Sequence, residues 1–195
     1  MIPKQEDDLL KAVSKGDEEA FHRLFDIWYK PMCVYAMNYI DSFDDAEDIA
    51  QNILARFWIK YSKENFTGSL KGYLFAAVQY DCIRVLRRQK RRVNEEQWRP
   101  ESGIGKQGGQ WTELPEDFGE EMYDEEAYRR LMEEIDKLPD QARRIFIAVV
   151  LEDKKYKEVA AMLGISVNTV KTQLSRSLRR LRGSIGLIIS ILLAS

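Results

Sequence analysis

The sequence predicts an all-α fold with two small helical domains joined by a flexible linker. Its 195 residues are enough for two such domains. Apolar residues recur at helical spacing on both sides of a stretch rich in Gly and Pro, and no alternating run is long enough to indicate a strand. The expected divisions are a first helical domain, a flexible acidic linker, a second helical domain and an apolar tail, at residues 1–93, 94–121, 122–183 and 184–195.

The first helices are marked by their boundary residues. Gly16 and Asp17 predict a break and an N-cap, and an amphipathic helix follows them. Pro31 is expected to interrupt that helix, because proline lacks the N–H that a helix interior needs. A new apolar segment then runs from Val34 to Ile40.

The most strongly patterned helix of the first domain is expected from about Asp44 to Trp58. Ser42 followed by Asp45 resembles a capping box, and the apolar residues behind it recur at i, i+3 and i+4. These apolar residues are Ala46, Ile49, Ala50, Ile53, Leu54, Phe57 and Trp58. The opposite face carries acids and amides, and acids in a first turn also suit the helix dipole.

A polar loop leads into a further helix, from Leu70 to about Arg92, whose end is dense in arginine. Aromatic residues accompany these cations. That composition suits single-stranded DNA, because bases stack on rings while arginines contact the phosphates. Tyr73 and Phe75 are expected in the core instead. For Phe66 and Tyr80, core packing and base stacking both stay open.

Local charge varies along the chain although the formal net charge is only −2, from 30 Lys and Arg against 32 Asp and Glu. Basic clusters lie at 84–92 and 171–182, and an acidic block lies at 113–126. Local sign decides what each face binds. Nucleic acid is therefore a candidate ligand, and a closed state with the acidic block against a basic face is one hypothesis for the free chain.

Few residues could support catalysis or bind a metal. Cys33 and Cys82 are too few for a disulfide framework or a Cys-type zinc site, and a reducing compartment suits them. His22 is the single histidine, which leaves no multi-His metal site or His-dependent triad. The N-terminus resembles no secretory signal. A cytoplasmic protein is therefore the simplest expectation.

Residues 156–181 have the layout of a helix-turn-helix. Gly164 can end the first helix in the left-handed conformation, Ile165 fills the angle between the helices, and Ser166 caps the second helix. The apolar face of the second helix consists of Val170, Leu174, Leu178 and Leu181. Its polar face suits a major groove and consists of Asn168, Thr169, Lys171, Thr172, Ser175, Arg176 and Arg179. A helical hairpin with a solvated basic face is the alternative.

The two halves together resemble bacterial RNA polymerase sigma factors of the extracytoplasmic-function (ECF) type, in the sigma-70 family, which have only the second and fourth conserved sigma regions. The resemblance covers about residues 10–92 and 126–182, in that order. The motifs resembling region 2 are Gly16-Asp17-Glu18-Glu19-Ala20-Phe21, Asp45-Ala46-Glu47-Asp48-Ile49-Ala50-Gln51, Phe57-Trp58 and Leu86-Arg87-Arg88-Gln89-Lys90-Arg91-Arg92. Those resembling region 4 are Leu138-Pro139 with Arg144 and Phe146, Glu158-Val159-Ala160, Leu163-Gly164-Ile165-Ser166 and Thr169-Val170-Lys171.

The resemblance implies a promoter-specificity subunit that binds core RNA polymerase, reads a −35 element with the second helix of the helix-turn-helix, and melts a −10 element. Such a subunit is a binding protein and not an enzyme, so we expect no catalytic residue, cofactor, metal or small-molecule substrate. The implied contacts to the clamp helices of the largest polymerase subunit are Asp44, Asp45, Glu47, Asp48, Gln51 and Asn52. The implied −10 contacts are Phe66, Thr67, Gly68, Tyr80, Arg84, Arg87, Arg88 and Lys90. Contact with the flap of the second-largest subunit and regulation by an anti-sigma factor are also implied.

The chain departs from the family at three places. Tyr80 stands where the family commonly has Asn, and Arg84 where it has Asn or Asp, so the −10 base preference is not predicted. The third departure is the apolar tail, whose 13 residues from Gly183 to Ser195 fall short of the roughly 20 that span a bilayer. It could extend the recognition helix and pack on its own domain, oligomerise, or bind a partner such as an anti-sigma factor. Packing or oligomerisation is favoured.

Two other functions are compatible with parts of the sequence. An ordinary helix-turn-helix regulator needs only the second half, and it leaves the aromatic and basic segment without a role. A nuclease could bind metal ions through acids near the start of one helix, namely Asp44, Asp45, Glu47 and Asp48. No phosphate-binding loop or second acidic cluster of matching character accompanies them.

Overall fold

A computed structural model describes residues 3–95 and 125–194, and every regular element within these ranges is helical. The N-terminal unit consists of α1 (Pro3–Val13), α2 (Glu18–Ala36), α3 (Phe43–Tyr61) and α4 (Leu70–Glu95). The C-terminal unit consists of α5 (Glu125–Asp136), α6 (Asp140–Phe146), a π-helical segment (Ile147–Leu151), α7 (Tyr156–Leu163), α8 (Val167–Arg180), a 3₁₀ turn (Arg182–Ser184) and α9 (Ile185–Ala194). The all-α prediction is confirmed. Most of the predicted linker lies outside the described residues, and the domain boundaries stay predictions.

The predicted N-caps of the first two long helices are confirmed. Asp17 accepts a hydrogen bond from the Ala20 N–H at 3.0 Å, directly after Gly16, which has a φ of +80°. Ser42 likewise accepts from the Asp45 N–H at 3.2 Å. Each cap satisfies a donor that would otherwise be unpaired at the start of a helix.

The predicted break at Pro31 is wrong, because α2 runs through the proline to Ala36. A proline inside a helix costs about 3 kcal/mol through a lost hydrogen bond and a steric clash. The residues that follow it, from Met32 to Ala36, are each at most 2% exposed. Burial of a large apolar side chain contributes about 1.5–3 kcal/mol. Burial of this turn therefore outweighs the local penalty.

The core of the N-terminal unit forms where α2 packs against α1, α3 and α4. Phe75 of α4 lies at its centre, fully buried, with its ring 4.8 Å from Tyr35 and 6.0 Å from Trp28. The core assignment of Phe75 is confirmed, and Tyr73 is half-buried against the same core.

The apolar tail forms a separate helix, α9, instead of extending α8. A 3₁₀ turn after Leu181 redirects the chain, and α9 packs most extensively against α2, with smaller contacts to α5 and the π-helical segment. Of the favoured alternatives, packing or oligomerisation, the structure shows packing, but α9 packs mainly on the other unit and not on its own domain. Among the helices of residues 3–95 and 125–194, none has the length and apolar character needed to cross a membrane.

Candidate nucleic-acid interface

The turn between α7 and α8 has the geometry that the sequence predicts. Gly164 is left-handed, with a φ of +65°, and the Ile165 N–H donates to the Ala160 carbonyl at 3.0 Å. Ser166 Oγ accepts a hydrogen bond from the Thr169 N–H at 3.0 Å. Any side chain other than glycine is strained at this φ, so Gly164 determines where α7 ends. Together with Ile165 and Ser166, it also fixes where α8 begins.

The α8 helix has a buried apolar face and a polar face, as predicted. Val170, Leu174 and Leu178 are at most 1% exposed and lie where α8 packs on α6 and α7. Of the predicted DNA contacts, those that are exposed are Asn168, Thr172, Arg176 and Arg179. Thr169 is half-buried, and its hydroxyl lies 2.8 Å from that of Ser166. The guanidinium groups of Arg176 and Arg179 therefore lie on one side of the helix.

Two predicted DNA contacts, Lys171 and Ser175, face the N-terminal unit. Lys171 Nζ donates to Asp44 at 2.9 Å and to Glu47 at 2.5 Å. Ser175, only 8% exposed, donates from its hydroxyl to the Asp41 carbonyl at 2.7 Å. The two residues stay predicted DNA contacts, and in this structure helix α3 and the loop before it cover them.

The environment of Glu47 favours a protonated lysine and neutral phenols. The hydrogen bond to Glu47, reinforced by Asp44, raises the pKa of Lys171 above its ordinary value against the opposing effect of burial. Burial raises the pKa of Tyr29 and of Tyr156, and the negative charge of Glu47 adds to the rise. Tyr29 therefore keeps its proton and donates to Glu47 at 3.1 Å.

The end of α4 presents an aromatic ring and several cations. Tyr80 is 51% exposed, so it lies outside the core. Asp81 is only 3% exposed and pairs with Arg56 of α3 and, at 3.3 Å, with Arg84. The pair with Arg56 links α4 to α3, and the pair within α4 orients Arg84. The other predicted contacts on this helix are Arg87 and Arg88, which are exposed, and Lys90, whose side chain lies outside the described residues.

Phe66 belongs to an aromatic cluster at the junction of α3 and α4. Its ring centre lies 5.1 Å from that of Tyr61 and 5.5 Å from those of Phe57 and Tyr73. The residue is half-buried, so part of the ring packs and part faces solvent. The neighbouring predicted contacts, Thr67 and Gly68, are exposed.

The predicted polymerase contacts on α3 differ in their exposure. Glu47 is 8% exposed, Asp45 is half-buried, and the exposed members are Asp44, Asp48, Gln51 and Asn52. Asp44 and Glu47 both pair with Lys171. Over the described ranges, no three His, Cys, Asp or Glu side chains are grouped to hold a metal ion. The acids that the nuclease alternative needs are thus partly neutralised by a lysine.

Asp41 is a contact residue that the sequence did not single out. Its carboxylate lies 3.1 Å from Arg179 Nε and 3.1 Å from an Nη atom of Arg182. Arg182 also donates from Nε to the Met37 carbonyl at 3.0 Å. This loop residue therefore binds two arginines of the C-terminal unit. No local pattern could have indicated it, since the partners lie far away in sequence.

A second cross-unit contact, also missed, is centred on Lys30 of α2. Its ammonium group donates to the Val149 carbonyl at 3.0 Å and pairs with Asp153. Asp153 has a positive φ of 53°, a conformation that aspartate tolerates better than most residues. The acidic block proposed for a closed state, 113–126, lies outside the residues whose side chains are described. The acids that pair between the two described units are Asp41, Asp44, Glu47 and Asp153.

Two family models match the chain. The model of sigma-70 region 2 matches residues 24–92, and that of sigma-70, region 4 matches residues 128–181. The first segment lies on α2 to α4 and the second on α5 to α8. The two segments together cover more than half of the chain and occur in the order that the sequence motifs indicate.

Characterised relatives match along most of their length. The chain is 24% identical over 180 residues to the ECF RNA polymerase sigma factor SigW of Bacillus subtilis (strain 168), covering 89% of this chain and 92% of that protein. It is 28% identical over 148 residues to the RNA polymerase sigma factor SigV of the same organism, covering 75% and 80%. It is 27% identical over 177 residues to the ECF RNA polymerase sigma factor RpoE of Cereibacter sphaeroides, covering 89% and 91%.

Two solved structures show similarity to the chain. One is the sigma factor RpoE from Bartonella quintana in complex with the anti-sigma factor NepR, at 20% identity and a TM-score of 0.35, covering 84% of this chain and 95% of that one. The other is CnrH in complex with the cytosolic domain of CnrY, at 18% identity and a TM-score of 0.38, covering 92% and 96%.

Proposed function

Because this chain belongs to the sigma-70 family, as a sigma factor of the ECF type that serves promoter-directed transcription, we propose that it binds core RNA polymerase, recognises a −35 element and melts a −10 element. The observation that carries the proposal is the presence of both matched segments in one chain, in this order. An ordinary helix-turn-helix regulator would need only the C-terminal unit. The proposal gives the aromatic and basic surface of the N-terminal unit a role as well, and it places the protein in the cytoplasm with the polymerase.

The −35 element is read by the polar face of α8. Arg176 and Arg179 are exposed on this face, and a bidentate arginine–guanine contact contributes about 1–3 kcal/mol of discrimination. Asn168 and Thr172 are exposed beside them and add hydrogen-bonding groups. Lys171 and Ser175 join this face once they are released from the N-terminal unit.

The −10 element is opened at the junction of α3 and α4. Unstacking a base costs a few kcal/mol, and stacking on an aromatic side chain recovers about 1–3 kcal/mol. Tyr80 and the exposed part of Phe66 supply the rings, while Arg87 and Arg88 supply charge for the phosphates. Opening is therefore within the range of energies that these side chains provide.

Core polymerase binds the exposed polar face of α3. The exposed side chains there are Asp48, Gln51 and Asn52, and they contact the clamp helices of the largest subunit. The C-terminal unit contacts the flap of the second-largest subunit, and an anti-sigma factor competes for these surfaces. Each of these partners is part of the proposal.

The test separates the two DNA-binding roles in transcription with purified bacterial core polymerase. Arg176→Ala should weaken initiation about 5- to 150-fold on templates with a −35 element, the equivalent of about 1–3 kcal/mol. Tyr80→Ala should lose initiation on duplex templates and regain it when the −10 segment is supplied already unpaired.

Matched controls distinguish these roles from general damage. Arg23→Ala removes an exposed arginine of α2, and Tyr128→Ala removes a partly exposed tyrosine of α5, 40% accessible to solvent. Both controls should initiate like the unaltered chain. If the chain neither associates with core polymerase nor starts a transcript, yet binds duplex DNA, an ordinary regulator is the better description.

A further inference from the structure

The two proposed binding faces of the molecule cover part of each other. On the C-terminal unit, Lys171 and Ser175 of α8 contact the N-terminal unit. On the N-terminal unit, Asp44 and Glu47 at the start of α3 receive the lysine. In this arrangement Lys171 is not available to bind a groove of DNA, and Glu47 is not available to bind the polymerase.

The C-terminal helix α9 reinforces this arrangement with apolar contacts. Leu187, Ile188 and Ile189 are at most 7% exposed, and α9 packs mainly on α2 of the N-terminal unit. None of its ten residues is charged. An exposed helix of this kind would be an aggregation hazard, so its burial against α2 favours the arrangement in which the two units touch.

Ion pairs and one aromatic contact also join the two units. Asp41 pairs with Arg179 and Arg182, and Lys30 pairs with Asp153. The rings of Phe43 and Tyr156 meet edge-on with their centres 6.1 Å apart. Contacts from α2, α3, α7, α8 and α9 thus share one closed interface, in which cations of the DNA-reading helix meet acids of the polymerase-binding helix.

We propose that α9 and these ion pairs form an intramolecular clasp that holds the free protein closed and inactive, because it keeps Lys171 and Ser175 of the −35 face and Glu47 of the polymerase face in contact with the other unit. The inference rests on the proposed function, since it assigns a regulation to the same two faces. Polymerase binds only the open form, so its apparent affinity is reduced by the fraction of molecules that are open. Weakening the clasp therefore activates the protein.

Asp41→Arg is the informative variant. Asp41 lies outside both proposed binding faces, and its side chain is 63% exposed at the loop between α2 and α3, so the change should leave folding intact. It replaces two attractive ion pairs by two repulsive ones. For partly exposed pairs we expect a shift of about tenfold towards the open form. Asp7→Arg, at an exposed position of α1, applies the same change of charge elsewhere and is the matched control.

Two readouts are combined. Energy transfer between dyes on Ile59→Cys and Met162→Cys, which are 75% and 51% exposed in opposite units, reports closure. The native thiols of Cys33 and Cys82 are buried and react slowly with the dyes. Transcription at limiting protein with core polymerase reports activity.

The clasp predicts lower energy transfer and about tenfold more transcript for Asp41→Arg, with Asp7→Arg unchanged in both. Equal transfer and equal transcription for all three proteins would overturn the clasp and leave the proposed function standing. If no protein binds polymerase or makes transcript, the proposed function fails. Energy transfer then still decides whether Asp41 holds the units together.

Discussion

Ile188 gives the most direct test that α9 is a buried part of the fold. This residue is 1% exposed and belongs to the apolar core. Ile188→Ala removes three carbon atoms, a loss of about 2.4 kcal/mol at about 0.8 kcal/mol per buried CH₂. The cavity left behind adds about 24 cal/mol per Å³ that does not collapse. We therefore expect the free energy of unfolding to fall by about 2.5–4 kcal/mol, inside the range of about 2–5 kcal/mol known for such changes.

Urea unfolding followed by circular dichroism measures this loss. Ile59→Ala makes the same chemical change at a position that is 75% exposed, and it should change the free energy of unfolding by less than about 0.5 kcal/mol. If Ile188→Ala changed the free energy of unfolding as little as Ile59→Ala, Ile188 would not be buried and α9 would not pack on α2.

Two further predictions concern buried thiols and the contact between the units. Burial raises the pKa of Cys82 to about 12, whereas the pKa of an unfolded cysteine is about 8.5. The contribution of the neutral thiol to stability is therefore fully present below about pH 8.5 and is lost progressively as the pH rises towards about 12. Between pH 8 and pH 10 the free energy of unfolding should fall for both proteins, and the fall should be about 2 kcal/mol smaller for Cys82→Ala than for the unaltered chain. An identical pH dependence of the two proteins would count against a buried thiol. At the second site, Lys30→Glu should lower energy transfer between the units by placing like charges together, and adding Asp153→Lys should restore part of it. Failure of the exchanged pair to recover any transfer would show that the Lys30–Asp153 pair does not hold the units together.

The helices could be predicted from the sequence because their signals are local. Asp17, Ser42 and Ser166 each cap a helix through a backbone N–H three residues ahead, so residue type and spacing suffice. Gly164 needs only its own φ to end α7. The local rule failed at Pro31, where burial by other helices outweighs the proline penalty, and burial depends on the whole fold.

The masking of the candidate sites could not be predicted. The partners Asp41 and Arg182 are 141 positions apart, and Lys171 and Glu47 are 124 apart. Charge patterns show that these residues attract opposite charges, but many other pairs satisfy the same condition. The sequence therefore predicts which side chains belong to a polar face, while tertiary packing decides which of them are open in the free chain.

The decisive experiment for a role in transcription initiation is transcription from genomic promoter fragments by purified bacterial core polymerase, with and without this protein. We expect transcripts that appear only when the protein is present, from fragments that share two spaced elements, together with co-migration of the protein and the polymerase. Duplex DNA binding without any association with the polymerase, and without any transcript, would contradict it.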